Sequence, residues 1–201
     1  MQLTGYKYTK NQVSFGSIKI SPTVVRDMNE RPVKAWFSRL NFSDPVDKEA
    51  MEKVKVQWKS QQEWNFANYI YKKFEDKKPI YAIELDSTNG SLSDKLLCLA
   101  SSHKEKDTFE LKCLLSSPNS SFEAPYDARK YKGAGTALIY GLVKIAKLEK
   151  ATMFKLLSIT DDFYKKLGMA ERSVYMTFDR HEMKDFLKRQ KAEFDLLLQK
   201  Q

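Results

Sequence analysis

The sequence contains few of the residues on which the commonest disulfide and metal sites depend. Its 201 residues include two cysteines, Cys98 and Cys113, and two histidines, His103 and His181. Both cysteines lie in apolar, strand-like segments, so we interpret them as small buried hydrophobic residues. Two scattered cysteines and two histidines match neither a disulfide framework nor a zinc pattern. We therefore predict no metal site.

Several enzyme motifs are also missing from the chain. The sequence has no H-E-x-x-H and no G-x-S-x-G, which argues against the commonest zinc and serine hydrolases. It has no G-x-x-x-x-G-K-S/T, and no third glycine at the position that a dinucleotide-binding motif requires. Neither a P-loop enzyme nor a dinucleotide-binding enzyme is therefore favoured.

Long hydrophobic runs are missing as well. No apolar run approaches the roughly 20 residues that cross a bilayer, and the first ten residues are polar. We expect a soluble, cytoplasmic protein with no membrane partner. With 42% hydrophobic residues, a chain of this length can bury the core of one domain.

The net charge of +9 is spread over the whole chain. It suits an anionic partner such as a nucleotide cofactor, nucleic acid or an acidic protein, although a solvated basic surface explains it equally well. The sequence contains no aromatic and basic run of the RNP type, so no motif indicates nucleic acid.

The hydrophobic pattern predicts an α/β (α+β) chain in which three strands joined by short turns form an antiparallel meander. Ser43 and Asp44 before Pro45 indicate a helix start, and the aromatics of residues 32–42 have helical spacing. The predicted strands lie within residues 11–25 and at 79–86, 95–102, 108–116, 151–159 and 173–178. The predicted helices cover residues 45–75, 133–149, 160–167 and 180–200.

The most informative segment is Gly133-Ala134-Gly135, which opens a predicted helix after Lys130 and Lys132. Glycines at a helix start let the backbone turn sharply and approach a ligand closely. The free amides of the first turn and the positive end of the helix dipole then favour a pyrophosphate. A tight turn between a strand and a helix needs glycine too, so this pattern alone leaves both interpretations open.

Two segments together resemble the GNAT superfamily of N-acetyltransferases. Residues 130–135 resemble its Q/R-x-x-G-x-G/A motif, with Lys130 in place of glutamine or arginine, and residues 163–169 (FYKKLGM) resemble its F-Y-x-x-L-G-F segment. The resemblance covers about residues 79–178. It implies a GNAT fold: a mixed, mostly antiparallel sheet flanked by helices, over a domain of residues 1–178. Only one strand is predicted after Gly168, where the family commonly has two.

The resemblance also implies acetyl-CoA as cosubstrate and a site for it. Tyr164 matches the residue that commonly donates a proton to the departing thiolate, although the residue could instead be a core aromatic. Backbone groups of one strand would hold the pantetheine arm, and the loop would hold the pyrophosphate. The implied contacts are Leu114, Leu115 and Ser116 for the arm, and Lys130, Lys132, Gly133, Ala134, Gly135 and Thr136 for the pyrophosphate.

The base that would take the amine's proton is less defined. Glu110 lies on the strand where many members keep a carboxylate, and Glu84 on an earlier strand is the second candidate. Either could simply be a charged residue on the polar face of its strand. Members without a dedicated base exist.

The implied activity is the transfer of an acetyl group to an amine by direct attack. The acceptor could be a protein amine, a small amino compound or an aminoacyl-tRNA. The alternative is a binding module that keeps the fold without catalysis. Residues 179–201, beyond the family's pattern, predict an amphipathic helix that docks either on the domain or on a second subunit of a homodimer, and that the cofactor site does not need.

Overall fold

The computed structural model describes residues 16–58, 66–87, 90–118, 130–158 and 161–199, which form a mixed sheet and its flanking helices. The strands are β1 (Ile18–Asp27), β2 (Pro32–Arg39), β3 (Ile80–Leu85), β4 (Leu96–Glu105), β5 (Thr108–Ser116), β6 (Tyr131–Lys132), β7 (Met153–Leu157), β8 (Ala170–Arg172) and β9 (Tyr175–Asp179). The helices are α1 (Pro45–Gln57), α2 (Phe66–Glu75), α3 (Leu92–Lys95), α4 (Ala134–Leu148), α5 (Asp161–Lys166) and α6 (Arg180–Leu198).

The strands form one sheet in the order β6-β1-β2-β3-β4-β5-β7-β9-β8. Every neighbouring pair is antiparallel except β5 and β7. Strands that follow each other through tight turns must pair antiparallel, whereas a parallel pair needs a long crossover. The crossover between β5 and β7 contains β6, which pairs with β1 at the far edge of the sheet, and α4, which packs across the face of the sheet against β1 to β5.

The helices cover both faces of the sheet and create two cores. One core joins the sheet to α4 and α6, and includes Leu138 and Phe186, both fully buried. The other joins it to α1 and α2 through residues such as Met51 and Ile70. The C-terminal helix packs on the chain's own surface, which is one of the two dockings that the sequence left open.

The amino-terminal third contains the main difference from the sequence-based expectation. Residues 32–42 have helical spacing, yet Pro32–Arg39 form the strand β2, which pairs with β1 and β3. Ala35 and Phe37 alternate into the core, as in a half-buried strand. The pattern spans only about two helical turns, and in so short a stretch the pairing partners decide the structure.

Two further predictions are refined. The predicted helix over residues 45–75 consists of α1 and α2; residues 59–65 lie outside the described part. The Asp44 side chain caps α1 by accepting from the Val46 amide at 2.8 Å, with Pro45 at the first position, as predicted. Two strands, β8 and β9, follow Gly168 where one was expected.

No helix among the described residues is long and apolar enough to cross a membrane.

Candidate active site

An opening in the sheet lies between β5 and β7. Their pairing runs only from Thr108 with Met153 to Leu111 with Leu156. β5 continues to Ser116, and along residues 112–116 no described strand pairs with it on this side. The backbone groups of this segment that point away from β4 therefore have no partner strand among the described residues, and a ligand could use them.

A β-bulge at Lys112 coincides with the start of this opening. Ser101 of β4 faces Cys113 and the next residue, Ser102, faces Leu111, so Lys112 is the extra residue. Leu111 packs in the core beside α4, whereas Cys113 packs in the core beside α1 and α2. After the bulge, the side chains that would have faced the α4 core face the α1 and α2 core instead. The bulge also bends β5 at the point where its pairing with β7 ends.

The first turn of α4 begins with a glycine in the left-handed conformation. Gly133 has φ +84° and precedes the helix as its N-cap, and its carbonyl accepts the first helical hydrogen bond from Ala137 at 2.9 Å. The amides of the first turn have no acceptor within the helix. A Cβ added to Gly135 would lie 3.4 Å from the Phe163 ring, so the start of α4 adjoins α5.

Tyr164 lies on α5 with its side chain mostly buried. Burial and the neighbouring thiols of Cys98 and Cys113 raise the pKa of this phenol above its usual value. Burial also raises the pKa of each thiol to about 12, and both cysteines are free and buried as predicted. The Cys98 Sγ is 3.8 Å from the Ser116 Oγ, and Tyr164 therefore lies near the start of β4 and the end of β5.

The structure places the predicted cofactor-binding residues in two groups. Leu114, Leu115 and Ser116 lie on the part of β5 that pairs with β4 but extends beyond its pairing with β7, and Leu115 is buried whereas the other two are half-buried. Lys130, Lys132, Gly133, Ala134, Gly135 and Thr136 lie before and within the first turn of α4. The Lys132 Nζ lies 2.6 Å from Glu30 Oε1 on the β1–β2 turn, and Ala134 is buried.

The two carboxylates considered as bases do not lie at the opening. Glu110 is within the paired part of β5, about 13 Å along the strand from Leu114 at ~3.3 Å per residue. Its carboxylate lies 2.8 Å from Lys112 Nζ and 3.6 Å from Lys155 Nζ. Glu84 is buried on β3, where Ser38 donates a hydrogen bond to it at 3.4 Å. No group of three or more potential metal ligands occurs among the described residues.

Two residues at the site were not assigned from the sequence. Lys112 forms the bulge, which depends on the register with β4 and leaves no local signal. Phe163 packs against Tyr164 with ring centroids 4.9 Å apart and contacts the start of α4. Phe163 is the first residue of the FYKKLGM segment, so the sequence could have indicated that it belongs to the site. The sequence could not have indicated that it contacts the start of α4.

The fold is similar to that of several acetyltransferases. One is an acetyltransferase of the GNAT family from Desulfovibrio desulfuricans, 13% identical, with 72% of this chain and 98% of that chain covered and a TM-score of 0.51. A PaiA N-acetyltransferase from Thermoplasma acidophilum, in complex with coenzyme A, is 16% identical, with coverages of 72% and 98% and a TM-score of 0.48. A GNAT family acetyltransferase from Brucella melitensis, in complex with acetyl-CoA, is 14% identical, with coverages of 68% and 83% and a TM-score of 0.47.

The first of these similarities confirms the fold that the sequence predicts: the chain has the GNAT fold. No protein-family model matches the sequence, and no curated protein is detectably similar to it.

Proposed function

We propose that the chain is an N-acetyltransferase that moves an acetyl group from acetyl-CoA to an amine acceptor by direct attack. The observation that carries the proposal is that three features meet at one opening of a GNAT fold. They are the unpaired edge of β5, the first turn of α4 and the buried phenol of Tyr164.

The residues at this opening fit the chemistry of acetyl-CoA. Its pyrophosphate needs several convergent hydrogen-bond donors, which the backbone amides of residues 132–136 supply at the positive end of a helix. Its pantetheine arm carries amide groups, and the backbone groups of residues 114–116 that point away from β4 offer complementary donors and acceptors. Bound there, acetyl-CoA would supply a reactive acetyl thioester.

Tyr164 is the proposed general acid. A phenol keeps its proton at neutral pH, and burial raises the pKa of Tyr164 further. The group can donate this proton as negative charge develops on the departing thiolate. The Glu110 carboxylate forms ion pairs with Lys112 and Lys155, and these ion pairs must break before it can act as the base. We therefore assign Glu110 only as a candidate that could act through water, and favour an acceptor amine that loses its proton to solvent.

Binding of coenzyme A is the first test. Isothermal titration and thermal shift should show that acetyl-CoA stabilises the protein, by about 2.7 kcal/mol at 100-fold excess over its dissociation constant. NAD and ATP carry a pyrophosphate or triphosphate without the pantetheine arm, and they are the matched controls. Equal shifts with all three ligands would point to a general anion site and contradict the assignment.

Acetyl transfer is the second test. The protein and acetyl-CoA should be incubated with panels of peptides, small amines and aminoacyl-tRNA, with mass spectrometry of the products. Transfer to one class would identify the acceptor. Tight binding of acetyl-CoA without transfer to any acceptor would favour the binding module.

A further inference from the structure

The C-terminal helix α6 is fixed to the helix that begins at the proposed pyrophosphate loop. Tyr140 of α4 contacts Phe186 and Phe194 of α6, with ring centroids 6.5 and 5.0 Å apart. Phe186 is fully buried and stacks on Phe178 of β9 at 4.9 Å. These contacts place α6 within the same core as α4. The backbone positions of its polar residues are therefore fixed relative to α4.

One of these side chains reaches the helix that carries Tyr164. The Arg189 Nη2 donates a hydrogen bond of 2.8 Å to the Leu167 carbonyl, just beyond the end of α5. The Leu167 and Met169 amides both donate to the Tyr164 carbonyl at 3.1 Å, so this turn closes on the tyrosine itself. Carbonyls at a helix end have no partner within the helix, and a cation there is also favoured by the helix dipole.

Gly168 shows how closely Arg189 is seated against this turn. Its φ is +88°, and a Cβ added to it would lie 2.6 Å from the Arg189 Nη2. The glycine thus serves both the left-handed turn and the approach of the guanidinium. The guanidinium of Arg189 therefore contacts the end of α5, although the residue as a whole is exposed.

A second side chain connects α6 to the proposed pyrophosphate loop through a series of ion pairs. Glu193 lies 2.6 Å from Arg26 on β1, and Arg26 lies 3.4 Å from Glu30. Glu30 in turn lies 2.6 Å from the Lys132 Nζ, next to Gly133. Arg26 and Lys132 are also register partners between β1 and β6. The loop is therefore held by backbone pairing and by four alternating charges that end on α6.

We propose that α6 positions both walls of the coenzyme site: Arg189 orients α5 and Tyr164, and Glu193 fixes the loop before α4. Both are positioning residues, because neither touches the reacting atoms. The inference rests on the proposed function and replaces the expectation that the cofactor site does not need this helix.

The test of Arg189 compares Arg189→Ala with Lys188→Ala, an exposed neighbour on the same helix. We expect Arg189→Ala to lower the maximal turnover of acetyl-CoA by about 10- to 100-fold, the range found for residues that orient a reacting group. Arg189→Lys can still donate to one carbonyl, so it should retain part of the turnover that Arg189→Ala loses. Adding Arg189→Ala to Tyr164→Phe should lower turnover no further, because the two changes act on one group.

Hydrogen exchange keeps this test independent of catalysis. If the wild-type protein turns over no acetyl-CoA, the proposed function fails, yet exchange at the amides of Leu167, Gly168 and Met169 still reports on Arg189. These amides should exchange faster in Arg189→Ala than in Lys188→Ala. Equal exchange and equal turnover in the two variants would overturn the inference.

The test of Glu193 compares Glu193→Gln with Asp185→Asn, an acid on the same helix that pairs only with His181 among the described residues. Glu193→Gln should raise the dissociation constant of coenzyme A about threefold to tenfold, while turnover at saturation stays unchanged. The effect should fade at 1 M salt, where the Debye length is only about 3 Å. Equal affinities of the two variants at low salt would overturn this part.

Discussion

At the scale of single residues, the two glycines of the proposed pyrophosphate loop are needed for different reasons. Gly133 has a positive φ that other residues adopt at a cost, although a Cβ there would meet no atom within 4 Å. Gly135 is inside α4 with an ordinary helical conformation, and a Cβ would make a normal contact with Phe163. Of these two glycines, the fold favours glycine only at residue 133, and ligand approach is the remaining reason for glycine at residue 135.

The two alanine substitutions should separate these reasons. Gly135→Ala should leave the free energy of unfolding unchanged or raise it by up to ~1 kcal/mol, since alanine is the better helix former, while it weakens acetyl-CoA binding. Gly133→Ala should lower the free energy of unfolding by about 1–2 kcal/mol. Urea unfolding and isothermal titration of both variants measure this. Undiminished affinity in Gly135→Ala would show that the ligand does not approach this glycine.

Tyr164→Phe isolates the hydroxyl of the proposed acid. Turnover should fall about 10- to 1000-fold, with coenzyme affinity nearly unchanged, because the lost group acts in the transition state. Since burial raises the pKa of Tyr164, the wild-type rate should not decline through ionisation of this group below pH 10. Steady-state rates measured across the pH range check both points, and equal rates for the two proteins would make Tyr164 a packing residue.

At the scale of secondary structure, residues with a strong local pattern were predictable. The meander strand at 108–116 and the helices at α4 and α6 agree with the sequence within about two residues, because each has a clear period and clear end signals. β2 was not predictable: Trp36 and Phe37 fit either period, and the pairing with β1 and β3 decides the outcome.

The site was predictable only in its local parts. The glycines, Phe163 and Tyr164 lie in contiguous motifs, so the sequence indicates them. The bulge at Lys112 depends on the register with β4, and the Arg189 contact joins residues that lie 22 positions apart. Both the bulge and the Arg189 contact arise from tertiary packing, and no local pattern in the sequence indicates them.

The docking of α6 can be tested at the same scale with two substitutions on that helix. Phe186→Ala should lower the free energy of unfolding by about 3–5 kcal/mol, because it empties a fully buried site between Phe178 and Tyr140. Leu196→Ala removes a side chain that is 53% exposed and should change it by less than about 0.5 kcal/mol. Similar losses in chemical denaturation would mean that α6 is not packed on α4 in solution.

At the scale of the whole molecule, two neighbouring aspartates, Asp44 and Asp47, should govern how the free energy of unfolding depends on pH. Asp47 is fully buried; one carboxylate oxygen has no hydrogen-bond partner among the described residues, and the other accepts from the Asn41 backbone amide. Burial, with the nearby charges of Asp44 and Glu84, raises its pKa to about 7. Asp44 shows the opposite behaviour, because the Gly16 amide donates to its carboxylate and lowers its pKa.

Asp47→Asn should therefore stabilise the protein increasingly as the pH rises. Below about pH 4 the carboxyl is protonated in both states, whereas between pH 4 and about 7 it is protonated mainly in the folded state. Folding then takes up a proton, so the wild-type stability falls as the pH rises through this range. The shift from 3.8 to about 7 corresponds to roughly 4 kcal/mol lost by pH 8, and asparagine, which never ionises, should not lose it. Urea unfolding from pH 4 to 8 gives the difference in the free energy of unfolding between Asp47→Asn and wild type.

Asp44→Asn serves as the contrast, since it should destabilise the protein at pH 7. A constant difference between Asp47→Asn and wild type across this range would show that Asp47 is ionised in the folded protein throughout.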